Sequence, residues 1–245
     1  MAMNKDLENA LIIFTDGSSL GNPGPGGWGT LMIYPKLDEV IELGGTKIKT
    51  TNNEMELTAI VSALSYAMNS EAPAYIYTDS QYAINGINKW MYGWEKNGWQ
   101  TQNKESIKNK EIWQLLYDLV TNRPKNSLHL QHVRGHVGVP GNERVDDIAR
   151  ELAEGINVPL YRGTLSDYPI RNVLQIPSSE EQSSGAKKSS SKKAYSYLSL
   201  INKELERHDT WPECEARVRG KNAKYKKALS VEHEKEILKE WGVEK

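Results

Sequence analysis

Apolar and polar positions change rhythm several times along the chain, and each rhythm predicts an element. Leu11, Ile12, Ile13 and Phe14 form an unbroken apolar run closed by a glycine- and proline-rich stretch, the pattern of a strand buried on both faces. Residues 29–34 and 39–46 are two more extended pieces, separated by Pro35 and a polar turn with Lys36 and Asp38, which reads as an antiparallel meander. From Asn53, the apolar positions Met55, Leu57, Ile60, Val61, Leu64 and Met68 recur at helical spacing, with Thr51 or Asn52 available as N-cap. Ala74–Thr78 is a short apolar strand, followed by helical sequence through Trp90, a Trp/Lys-rich loop and a helix over 111–121. Residues 128–133 read as a last strand, and 142–154 as a helix with Val145, Ile148, Ala149 and Leu152 on one face. A meander followed by alternating strands and helices predicts an α/β domain ending near Leu160.

The rhythm stops at 176–194, IPSSEEQSSGAKKSSSKKA, a Ser/Lys-rich stretch that buries too little apolar surface to offset ordering entropy. It predicts a flexible linker, assigned to 161–194. Beyond it, the extended pieces SYLSLI and LERHDTW, a helix over 212–219, the piece AKYKKA and a helix over 231–241 predict a small α+β domain at 195–245, short for independent stability. A formal charge of -1 excludes a globally basic nucleic-acid binder, so any such surface must be a local patch. The single cysteine, Cys214, excludes an intrachain disulfide and is expected to be a small buried hydrophobe. The apolar run at 11–14 is too short for a leader or a membrane span, and the expectation is a cytoplasmic monomer with no membrane partner.

Four acids stand in suggestive places. Asp16 closes the first strand, Asp79 closes the fourth, Glu56 lies in the first turn of the long helix, and Asp146 lies in the helix over 142–154. If strands one and four are neighbours, Asp16 and Asp79 emerge side by side at the edge where open α/β sheets place their ligand crevices. Four carboxylates there repel one another unless cations neutralise them, and hard oxygen donors select Mg²⁺ or Mn²⁺. Two such ions roughly 3.5–4 Å apart serve an in-line displacement at phosphorus. Each acid also has a plainer reading: Asp16 as a turn-former, Glu56 as a complement to the helix dipole, Asp146 as a solvated helix position. Spacing alone leaves both readings open.

The segments FTDGSSLGNPGPGGWG, TTNNEMELTAI, YTDSQY and VRGHVGVPGNERVDDIAR, in this order and spacing, resemble the type 1 ribonuclease H family across about residues 8–155. The resemblance implies a ribonuclease H-like fold, a five-stranded mixed sheet flanked by helices. It also implies an endonuclease that hydrolyses the RNA strand of RNA–DNA hybrids to 5′-phosphate and 3′-hydroxyl ends. The family's catalytic and metal-binding acids fall on Asp16, Glu56, Asp79 and Asp146, which would hold two Mg²⁺, with Mn²⁺ able to substitute. His136, flanked by Gly135 and Gly138, falls on the family's auxiliary loop histidine, with Asn142 its neighbour; His129 and His132 read as structural. Sensing 2′-hydroxyls across a shallow minor groove needs groups that both donate and accept. Asn22, Asn52, Asn53 and Gln81 fall on hybrid-contacting positions, and Thr51 on one that touches a DNA-strand phosphate. The alternative is a non-catalytic module that binds hybrid or double-stranded RNA; four uncompensated carboxylates argue against it.

Residues 86–110 interleave Trp90, Trp94 and Trp99 with five lysines and two glutamates, a local charge of +3. This suits sugar stacking and phosphate contact, and it matches the family's basic protrusion, with Trp90 counted among the substrate contacts; the plainer reading is that the tryptophans, Trp90 above all, pack a small helix onto the domain. In the tail, Arg217 to Lys227 carry six basic residues and no acid around Tyr225. The stretch resembles the small hybrid-binding module of viroplasmin-type proteins, whose W-E-C, V-x-G and A-K-Y-K pieces match here. That resemblance implies a hybrid or double-stranded RNA contact by Trp211, Lys224, Tyr225 and Lys226. The other reading makes Trp211 and Tyr225 the core of a tiny domain.

Overall fold

The computed structural model describes residues 5–133, 138–175, 195–201, 204–218, 221, 223–228 and 231–243. The chain divides into two compact units, Met1–Pro177 and Ser178–Lys245. The expected linker core, 176–194, and His136 lie outside the described residues.

In the first unit a short helix α1 (Lys5–Glu8) precedes three antiparallel strands, β1 (Leu11–Ser19), β2 (Gly24–Tyr34) and β3 (Glu39–Thr50). Helix α2 (Asn52–Tyr66) leads to β4 (Ala74–Thr78), which pairs parallel with β1. Helix α3 (Gln81–Asn85), a π turn at Gly86–Trp90, α4 (Met91–Lys96) and α5 (Lys110–Thr121) lead to β5 (Leu128–His132), parallel to β4. Helix α6 (Pro140–Ala153) follows. Alternation along β1 feeds two cores, as a strand buried on both faces requires. Leu11 and Ile13 join Leu57, Ile60 and Leu64 of α2 and Trp113 and Leu116 of α5, while Ile12 and Phe14 join Val145 of α6.

The sheet has six strands, in the order β5-β4-β1-β2-β3-β6, rather than five. Strand β6 (Arg162–Thr164) pairs with Glu39, Val40 and Ile41 of β3, and Tyr168 and Val173 beyond it are buried in the α6-side core. Residues 161–175 therefore belong to the first unit and not to a linker. Three residues reading Arg-Gly-Thr carry no apolar rhythm, so their pairing is decided by the open edge of β3. Strand β2 also starts earlier than its sequence predicts. Gly26 and Gly27, which read as turn, are paired with Ser19 and Ser18.

The second unit is a three-stranded antiparallel sheet, β8-β7-β9, made of β7 (Ser196–Ile201), β8 (Glu204–His208) and β9 (Lys224–Ala228), with helices α7 (Trp211–Val218) and α8 (Val231–Trp241). Leu198 and Ala228 pack against Ile237 and Leu238 of α8. Cys214 is buried. Among the described residues, no helix is long and apolar enough to cross a membrane.

Candidate active site

The site lies where β1 leaves β4. Their parallel pairing runs from Leu11↔Ala74 to Phe14↔Tyr77, whereas β1 goes on pairing with β2 as far as Ser19↔Gly26. Asp16 thus sits inside a strand rather than at its end, two residues past Phe14, the last residue of β1 that pairs with β4, where a crevice opens. Asp79 follows the last residue of β4. Asp16 is 9% exposed, and its Oδ1 accepts the Gly17 N–H at 2.7 Å. At Gly17 a Cβ would lie 2.1 Å from the Glu56 nitrogen, so only glycine lets the first turn of α2 come this close to β1.

Thr51 caps α2, its hydroxyl accepting the Glu54 N–H at 3.4 Å. One turn on, Glu56 is held at both oxygens. Oε1 accepts from Asn52 Nδ2 at 2.9 Å, and Oε2 accepts from the Ser80 hydroxyl. The same Ser80 oxygen accepts the Ala83 N–H at 3.2 Å and caps α3. Sequence reasoning missed Ser80; its position directly after Asp79 and at a helix start was the available signal.

The acids are electrostatically coupled. Burial first, then repulsion from Asp79, Asp146 and Glu56, pushes Asp16 up from 3.8 to about 8 against the pull of the Gly17 N–H. Burial and Asp79 likewise raise Glu56, against the hydrogen bonds from Ser80 and Asn52. As they stand, no three His, Cys, Asp or Glu side chains among the described residues close to the spacing that holds a metal ion. The donor set nonetheless fits a hard divalent cation: carboxylate oxygens alone, on four separate elements, in a crevice that penalises their shared charge.

Asn22 is in the exposed β1–β2 turn, Asn53 and Gln81 are exposed at the starts of α2 and α3, and Asn52 is committed to Glu56. Asn142 lies one turn before Asp146 on α6 and is 3% exposed, and its Oδ1 has no hydrogen-bond partner among the described residues. His129 stacks on Tyr75 with centroids 4.5 Å apart, a structural role. In the Trp/Lys segment Trp90 packs, as expected, but keeps an open face. Trp113 and Trp99 are buried, while Trp90 is 38% exposed and rests against Tyr82 and Trp94. The wide, flat ring of Trp113 fills the space under the π turn, leaving Trp90 on its rim.

The pleat of β9 divides the residues expected to form one surface in the second unit. Tyr225, opposite Ser199, shares its face with Tyr197, and these two rings flank Trp211 at 5.6 and 5.8 Å. Lys224 and Lys226, opposite Leu200 and Leu198, project from the other face, that of α8. Tyr197, not predicted and half-buried, joins the exposed Trp211 and Tyr225 in an aromatic trio.

A mixed sheet with four coupled carboxylates where its parallel half parts from its antiparallel half defines a nuclease. The RNase H family model matches residues 8–154, and the chain belongs to that family. It is 51% identical to ribonuclease H of Rhizobium etli over 142 residues, 58% of this chain and 90% of that protein. It is 48% identical to ribonuclease HI of Pseudomonas putida over 143 residues, 58% of this chain and 93% of that protein. Among solved structures it resembles LC9-RNase H1, described as a type 1 RNase H with the type 2 active-site motif, at a TM-score of 0.55 and 25% identity over 68% of this chain and 83% of that one. It shares the fold of a foamy viral protease-reverse transcriptase in complex with an RNA/DNA hybrid, at a TM-score of 0.53 and 21% identity over 64% of this chain and 21% of that one.

Proposed function

We propose that the first unit hydrolyses the RNA strand of RNA–DNA hybrids, with Asp16, Glu56, Asp79 and Asp146 holding two Mg²⁺, or Mn²⁺ in its place. The observation that carries this reading is the crevice at Asp16, where β1 parts from β4, Asp79 follows the end of β4, and Gly17 admits the first turn of α2 with Glu56. When bound, the cations would activate the attacking water and neutralise the leaving oxygen, leaving 5′-phosphate and 3′-hydroxyl ends.

The chain's own residues bind and orient. Asn52 and Ser80 fix the Glu56 carboxylate by one hydrogen bond to each oxygen, so it meets a ligand without rotamer loss. Asn22, Asn53 and Gln81 offer amides that donate and accept, the requirement for a 2′-hydroxyl. Thr51 lies beside them for a backbone phosphate. The open acceptor of Asn142 favours a hydroxyl donor at the end of α6 near Asp146. Trp90, on the rim of its cluster, gives the duplex an apolar face beside the lysines of α4 and its loop. His136 is assigned an auxiliary role in proton transfer or product release.

For the second unit we propose a hybrid-holding role centred on Tyr197, Trp211 and Tyr225. Two rings set on either side of Trp211, with Trp211 and Tyr225 exposed, are a sequence-tolerant platform, and Lys227 on the same face supplies charge. Lys224 and Lys226 would reach phosphates only around the edge of β9. The test is cleavage of a labelled RNA–DNA hybrid beside matched double-stranded RNA and DNA, with the products' ends mapped. Cutting confined to the hybrid's RNA strand is expected; equal cutting of double-stranded RNA, or none of the hybrid, contradicts the reading.

A further inference from the structure

Helix α6 carries Asp146 but rests on a surface with little relief. A Cβ at Gly27 would lie 2.4 Å from the Ala149 carbonyl oxygen, one at Gly29 2.7 Å from that of Val145, and one at Gly44 2.8 Å from the Leu152 side chain. The helix backbone therefore lies almost on the strands. Helices usually take their register from ridges of side chains seated in grooves, and a glycine floor offers few grooves. Something directional has to set how far the helix is rolled and slid.

That group lies two residues before Asp146. Arg144 donates from Nε and Nη2 to the two oxygens of Glu42 on β3, each at 2.8 Å, and from Nη2 to the Pro159 carbonyl at 3.0 Å. Glu42 also accepts the Tyr161 N–H at 2.9 Å and the Tyr168 hydroxyl at 2.6 Å. Its side chain is 1% exposed and that of Arg144 21%. A buried pair of this kind gains little stability over apolar residues of similar volume. Its two-pronged geometry fixes direction instead. Three of its partners, at 159, 161 and 168, lie beyond the residues 8–154 matched by the family model. At about 100° per residue, Arg144 and Asp146 stand on nearly opposite flanks of α6, so a roll of the helix that loosens one displaces the other.

We propose that Glu42, Arg144 and Tyr168 are positioning residues for the reaction: with residues 159–161 they form a strap that sets the roll of α6 and hence the place of Asp146 beside Asp16. The inference rests on the proposed metal-dependent cleavage. The strap acts through the helix and touches neither substrate nor cation.

The experiment uses the full chain carrying Tyr168→Phe, which keeps the packing and drops one hydrogen bond, or Arg144→Lys, which keeps the charge and loses the fork. Ile33→Val in the same core serves as a matched loss of stability. Mg²⁺ affinity is measured by calorimetry without substrate, beside Tm and the Mg²⁺ dependence of kcat and KM on a hybrid. Arg144→Lys should weaken Mg²⁺ binding about 10-fold and Tyr168→Phe less. The kcat at low Mg²⁺ should fall and recover at high Mg²⁺ with KM for the hybrid unchanged, while Ile33→Val lowers Tm alone. Variants that lower Tm but bind Mg²⁺ like the wild type would overturn the inference and leave the proposed function standing. A wild type that neither binds Mg²⁺ nor cleaves the hybrid would overturn both.

Discussion

At the scale of single residues the site is a matter of what holds each carboxylate. Glu56 has a hydrogen bond on each oxygen, and Ser80 supplies one of them while capping α3. Ser80→Ala should therefore lower kcat about 10-fold, the order of loss when a partner of a ligand is removed. Ser80→Thr, which keeps both the hydroxyl and the cap, should restore most of it. Steady-state kinetics on the two variants checks this, and equal losses would mean that the hydroxyl is not what matters. The acids were named in the sequence through the four family motifs, since spacing alone left plainer readings open and Asp16 and Asp146 lie inside their elements. Ser80 was not, because a serine after an aspartate reads as a turn until the partner's place is known. Nor was the open acceptor of Asn142, which depends on what the helix start buries.

At the scale of elements, the α2–β1 and α6–β2 approaches bring the carboxylates together, and both run through glycine. Gly17 and Gly27 read as turn in the sequence, because glycine in a strand also marks a break or bulge. The alternation of β1, the meander and the cap of α2 were all legible, since they rest on local periodicity. The edge strand β6 and the Glu42–Arg144 pair were not, being contacts across 102 residues or more with no local rhythm. That pair makes an acid-stability prediction. Burial opposes ionised Glu42, but the hydrogen bonds from Arg144, Tyr168 and the Tyr161 N–H outweigh it and hold its pKa below the ordinary 4.5. The unfolded chain takes up this proton first, so the contribution is whole above about 4.5 and is lost as pH falls through the lower folded value. Glu42→Gln should cost about 3–5 kcal/mol at pH 7, the cost of stranding a buried partner. In urea unfolding, the gap between wild type and variant should narrow as pH drops below 4.5. A gap that stays constant down to pH 3 would contradict the assignment.

At the scale of the whole molecule, the chain forms two units each with a core of its own, and the proposed reading gives cutting to the first and holding to the second. The change of composition at 176–194 marked that division in the sequence, although the first unit keeps its chain as far as Tyr168 and Val173, which no periodicity announced. A chain ending at Pro177 should keep its kcat, while KM for a hybrid rises several-fold as the tethered platform's effective concentration is lost. An unchanged KM would remove the holding role of the second unit. The central claim, hydrolysis by carboxylates that need a cation, is tested most directly by one assay: cleavage of a labelled RNA–DNA hybrid by wild type and Asp16→Asn, with Mg²⁺ and with EDTA. The account predicts cutting of the RNA strand only by wild type with Mg²⁺, with Asp16→Asn at background under both conditions. Cutting that survives EDTA, or that survives loss of the Asp16 charge, would contradict it.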